Sequence, residues 1–169
     1  MSNESVNKFL YLVTTIFDFL ESDYGYELVD KSVISEDYYP DAEAIVRYKS
    51  SLVGVEIFWY FASSVIGVAF VKLERGNFPD NTSSNPILIN IYSLVDYLTK
   101  GKDDMFLLKE TSSASISKIK KREKTINDNM ESVLENLSLG IKKYALNIIN
   151  GDTSIFSAVQ NYQLNLLKK

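Results

Sequence analysis

Apolar residues fall at helical spacing at the start of the chain. Val6, Phe9, Leu10, Val13, Ile16, Phe17 and Leu20 recur three and four apart, which predicts an amphipathic helix over 5–22 with one wide stripe against a core. Tyr24-Gly25-Tyr26 ends it, because glycine readily takes the left-handed conformation beyond a helix terminus. The period then changes to two. Segments 26–34, 44–50, 52–60 and 65–73 are rich in Val, Ile, Tyr and Phe and are separated by short polar breaks, the pattern of an antiparallel meander of about four strands. In 52–61 both alternating sets are largely apolar: Val53, Val55, Ile57, Trp59 and Phe61 on one side, Leu52, Gly54, Glu56, Phe58 and Tyr60 on the other. Segment 65–73 repeats this, and strands of that kind are expected to carry helices on both faces, the alternative being one face kept for a partner.

Residues 76–85 read as a polar, turn-rich loop. Asn85-Pro86 has the form of a helix start, Asn as cap and Pro in the first turn, and Leu88, Ile91, Tyr92, Val95 and Leu98 supply the stripe. After a connector over 101–117, a long helix is expected over 117–150, with Ile119, Ile126, Met130, Val133, Leu137, Ile141, Tyr144 and Ile148 on one side and Asn150-Gly151 as its close. Asp152 is placed to cap a last helix bearing Ile155, Phe156, Val159, Tyr162 and Leu166. The class is α+β: a single domain over 1–169, with a helix in 1–22, the meander in 26–73 and a helical part in 86–169.

The chain has no Cys and no His. This removes disulfides, thiolate or imidazole metal sites, and Ser-His or Cys-His nucleophiles, leaving only carboxylate, Lys, Tyr or Ser chemistry. Glycine-rich phosphate cradles and the EF-hand loop have no counterpart in the sequence. No cofactor, metal site or catalytic residue is therefore expected, and the chain reads as a non-catalytic protein. No apolar run reaches the length of a membrane span, and MSNESVNK lacks the order of a secretory signal, so the expected location is cytoplasmic.

Charge changes the picture most. Residues 1–45 hold ten Asp and Glu against two Lys, whereas 46–169 hold twelve acids against sixteen bases. The stretch 18–43 is the extreme, with nine acids, one Lys and the tyrosines Tyr24, Tyr26, Tyr38 and Tyr39. Its loop between the first two strands offers Glu36, Asp37, Tyr38, Tyr39, Asp41 and Glu43 as a candidate partner-binding set. Tyrosine gives broad amphipathic contact at low entropy cost, and clustered carboxylates speed encounter with a basic surface. The plain alternative is a solvated hairpin loop.

Three other constellations have strong plain readings. The basic run Lys118-Ile119-Lys120-Lys121-Arg122-Glu123-Lys124 is short in a chain of net charge −4, which argues against nucleic acid and for a solvated helix end. Adjacent acids, Glu36 with Asp37 and Asp103 with Asp104, are the residue type for a hard cation or for acid-base work, but neighbouring loop acids are ordinarily just solvated. Trp59 and Phe61 suit either a ligand pocket or a core.

Phe17-Asp18-Phe19-Leu20, Tyr24-Gly25-Tyr26, Val46-Arg47-Tyr48-Lys49-Ser50 and Val55-Glu56-Ile57, in that order, resemble elements of small uncharacterised bacterial proteins of helix, meander, helix layout, some of which look like immunity proteins of toxin systems. The resemblance covers about residues 9–73 and implies no catalytic residues. It implies a binding protein, most concretely an immunity-type inhibitor whose acidic, Tyr-rich face meets a basic, toxin-like partner. A homo-oligomeric structural protein, dimeric through the apolar strands or the long helix, is the second reading, and a carboxylate-dependent enzyme or small-ligand carrier the third.

Overall fold

A computed structural model describes residues 3–34, 43–61, 63–79, 88–103 and 116–166. The element order is α1 (Asn3–Ile16), α2 (Phe19–Ser22), β1 (Glu27–Ile34), β2 (Glu43–Lys49), β3 (Val53–Tyr60), β4 (Val65–Lys72), β5 (Leu88–Asn90), α3 (Ile91–Thr99), α4 (Ile116–Tyr144), α5 (Leu146–Ile149) and α6 (Phe156–Leu166). The class is α+β, with the five strands in sequence order and every neighbouring pair antiparallel.

The N-terminal apolar stripe becomes two helices where one was expected. Phe17, Phe19 and Leu20 are all buried, and a straight helix does not place residues 17 and 19 on the same side. A turn at Phe17-Asp18 resolves the conflict, with Leu20 N–H bonding to the Phe17 carbonyl at 2.9 Å. Gly25 closes α2 as its sequence position implies: its φ is +67°, its N–H reaches the Glu21 carbonyl, and the Tyr26 N–H reaches the Leu20 carbonyl.

Four strands lie within two residues of their expected bounds, and a fifth was not foreseen. Leu88–Asn90 pairs with Ala69–Val71 of β4, so the helix start expected at Asn85-Pro86 moves to Ile91. Asn90 is the working cap, its Oδ1 accepting the Ser93 N–H at 2.7 Å. β4 is apolar on both faces, and β5 supplies its otherwise open edge with backbone partners. Asn85 and Pro86 lie outside the described residues.

The long helix ends at Tyr144, and a separate turn, α5, carries the chain to Asn150 and Gly151, whose φ of +96° makes the expected stop. Asp152 does not cap the last helix as expected: α6 begins at Phe156, and Asp152 instead closes a local turn ahead of it, accepting the Ser154 N–H at 2.9 Å.

One apolar cluster unites the helices with one face of the sheet. Phe9, Val13, Phe17 and Leu20 meet Ala44, Val46, Tyr48, Val53, Val55, Ile57, Trp59, Val68, Phe70 and Ile89, together with Leu94 of α3, Leu134 and Ile141 of α4 and Phe156 of α6. Among the described residues the expected second helical layer is not seen: every described helix contributes to this one cluster. On the outward face, two aromatic rings lie over glycines. The Phe58 ring lies on Gly67 and the Phe78 ring on Gly54, so close that a Cβ at either glycine would stand 2.6 or 2.4 Å from a ring carbon. Ile45, Ala69, Val71 and Leu73 on this side are buried, outside the main cluster. Apolar residues on both faces of a strand do not require two helical layers when glycines leave room for aromatic side chains to lie flat.

Candidate functional site

The acidic N-terminal part is organised by the edge hairpin β1–β2. Its regular pairing runs from Glu27↔Lys49 to Ile34↔Glu43, with a bulge between Leu28 and Asp30. The acidic stretch is therefore not one patch. Asp18, Glu21 and Asp23 stand near the start of β1 and the 35–42 connection follows its far end, with the eight-residue strand between them spanning roughly 23 Å.

Between the two ends, the register sets acids opposite bases. Arg47 Nε lies 2.8 Å from Glu56 Oε1 and Arg47 Nη1 3.2 Å from Asp30 Oδ2, while Ser32 donates to the same Asp30 oxygen at 3.0 Å. The Arg47 guanidinium also stands 5.6 Å from the centre of the Phe78 ring. The Arg47 and Glu56 side chains are 29% and 19% exposed, so this pair is less screened than Lys49 with Glu27, 3.7 Å apart, where the acid is 71% exposed. Two of the nine acids, Asp30 and Glu27, are thus paired with bases within the sheet, Asp30 sharing Arg47 with Glu56. Asp18, Glu21 and Asp23 are exposed and have no cation within salt-bridge distance among the described residues.

Of the candidate set, Glu43 opens β2, its backbone paired with both Ile34 and Tyr60. Glu36, Asp37, Tyr38, Tyr39 and Asp41 lie outside the described residues. Arg47 and Lys49 were not singled out from the sequence. Their signal was the alternation Arg47, Lys49 within an apolar strand, which acquires meaning only once the register sets Asp30 and Glu27 opposite them.

Of the other constellations, Asp103 and Trp59 make internal contacts. Asp103 accepts the Tyr144 hydroxyl and sits 3.0 Å from Lys143 Nζ, which ties the chain after α3 to the end of α4; Asp104 lies outside the described residues. Trp59 is fully buried, edge-on to Phe61 at 5.2 Å and tilted against Phe9 at 5.8 Å, a core position. Of the basic run, Lys124 is exposed, and the side chains of 118–123 are outside the described set. Among the described residues no group of three or more acids is placed to hold a metal ion, and no helix is long and apolar enough to cross a membrane.

Comparison with protein-family models, with curated proteins and with solved structures finds no match to this chain.

One buried group beside the acids has a measurable consequence. Tyr48, fully buried on β2, keeps its hydroxyl without a hydrogen-bond partner among the described residues. Burial pushes its pKa well above the usual tyrosine value of 10.0, and the nearby carboxylates of Glu21 and Asp18 push the same way. Burial also raises Tyr26, whose hydroxyl donates to the Ile149 carbonyl at 3.0 Å. An acid with a raised folded-state pKa holds its proton more tightly when folded, so stability is complete below pH 10 and falls above it, by up to about 1.4 kcal/mol per pH unit for each such group. Tyr48→Phe is expected to leave stability at pH 7 equal or raised, since an unpaired buried hydroxyl costs about 1–3 kcal/mol, and to make the alkaline fall shallower. Urea unfolding at pH 7, 10 and 11 measures both. A loss above about 1 kcal/mol at pH 7 would show that the hydroxyl is in use.

Proposed function

We propose that this chain is a non-catalytic intracellular binding protein, an immunity-type inhibitor that meets a basic protein partner through the acidic, Tyr-rich loop of the β1–β2 hairpin. The observation that carries this reading is the loop's place in the fold. The 35–42 connection is mounted on an edge hairpin that is fully paired on one side, braced by the Asp30–Arg47–Glu56 bridge and backed by the main core. Recognition segments are commonly loops held by a rigid scaffold, because the scaffold bears the ordering cost that a free segment would meet on binding. Glu36, Asp37, Asp41 and Glu43 would steer the encounter, and Tyr38 and Tyr39 would be the desolvated anchors.

The test is affinity capture of the tagged chain from its native cells at low and high salt, with the eluate identified by mass spectrometry. A basic protein recovered in near-equal amount and lost at high salt is the expected result. A chain that returns alone as a defined multimer would replace this reading with self-association. That second reading has its own observation, Val29 and Val33 exposed on the edge strand β1, and light scattering of the purified chain distinguishes the two.

A further inference from the structure

Helix α4 runs from Ile116 to Tyr144, yet its backbone is not helical throughout. Asn129 has φ −120° and ψ 17°, outside the helical region. Its side chain explains part of the break: Asn129 Nδ2 donates at 2.8 Å to the Thr125 carbonyl, the acceptor that an unbroken helix offers to the amide four residues on. Two residues earlier, Asn127 Oδ1 is buried with no hydrogen-bond partner among the described residues, which disfavours this packed arrangement. The local sequence, Thr125-Ile126-Asn127-Asp128-Asn129, places four poor helix formers within five positions.

The two sides of this joint are held very differently. After it, Met130, Leu134, Leu137 and Ile141 are buried in the main cluster, and Lys142 Nζ sits 4.2 Å above the Phe19 ring. Before it, Lys124, Thr125 and Asp128 are exposed, and within 124–128 Ile126 alone joins the core. In sequence, 116–128 also carries five cations against two acids near a helix start, where cations oppose the dipole and repel one another.

We propose that Asn129 is a hinge at which residues 116–128 open away from the helical layer while 130–144 stay packed. Opening withdraws Ile126 from the core, relieves the unpaired Asn127 carbonyl by hydration, and turns the basic part of α4 into a lever separate from its anchored half.

Amide exchange followed residue by residue by NMR on the full chain tests this, using protection factors for 120–128 and 131–144. The expected result is protection at least tenfold lower in 120–128, with a step at residue 129. Asn129→Ala, at an exposed position, and the pair Asn127→Leu with Asn129→Ala are expected to raise protection in 120–128 at least threefold and leave 131–144 unchanged. Equal protection on both sides in the parent chain would overturn the hinge. So would low protection in 120–128 that neither variant raises, since that is ordinary end fraying and owes nothing to the joint.

Discussion

Trp59→Ala is expected to cost about 3–5 kcal/mol of folding stability, enough to leave a chain of ordinary stability near its unfolding threshold. Trp59 is fully buried on the sheet's inward face, near the end of the central strand β3, where its ring touches Phe9 of α1 and Phe61 just beyond β3. The same substitution thus removes a large apolar surface and opens a cavity between the helical layer and the strands. For a domain of this size the melting midpoint should fall by roughly 6–20 °C. Trp59→Phe separates packing from polarity. The indole N–H has no hydrogen-bond partner among the described residues, so exchanging it for a carbon ring removes an unpaired donor while most ring contacts stay, and the cost should be well under half that of alanine. Thermal and urea unfolding of both variants give the comparison. A cost below about 1 kcal/mol for Trp59→Ala would mean that this position is not the keystone of the inward face.

Replacing Glu36, Asp37, Asp41 and Glu43 together by Lys is expected to slow association with the captured basic partner at least tenfold at low salt. The effect lies in the encounter rate, because carboxylates on a loop act by steering before contacts form. It should shrink as ionic strength rises, since the screening length falls from about 10 Å at 0.1 M to about 3 Å at 1 M salt. The fold provides a built-in control. Asp18, Glu21 and Asp23 lie near the opposite end of β1, so their exchange for Asn or Gln should alter the rate much less. Surface plasmon resonance at three salt concentrations measures both sets. An unchanged rate for the loop variant removes the steering mechanism, and a slowed rate for the Asp18 set alone places the partner at the other end of the hairpin.

The sequence was most legible where one local rule was enough. Period-two runs of Val, Ile, Tyr and Phe set the first four strands within two residues, and Gly25 and Gly151 marked stops because only glycine takes those positive φ values cheaply. Leu88–Asn90 was hidden, since a three-residue strand has too few positions to show a period and owes its existence to the open edge of β4. The break at Asn129 was in view as a run of poor helix formers, but the seven- and four-residue spacing of Ile126, Met130, Val133 and Leu137 outweighed it in a pattern reading.

What the amino-acid sequence determined by itself was local and additive: the α+β order of elements, the absence of imidazole and thiol chemistry, and the concentration of acids before residue 45. The tertiary structure decided what depends on register and on which faces meet. It divided the acidic stretch between the two ends of an edge strand and paired Asp30 and Glu27 with Arg47 and Lys49. It also gathered every described helix into one cluster with one face of a sheet on whose other face Phe58 and Phe78 lie over glycines. The physical reason is the range of the interactions: propensity and periodicity act between near neighbours, whereas charge neutralisation and burial depend on partners that only the folded chain brings within a few ångströms.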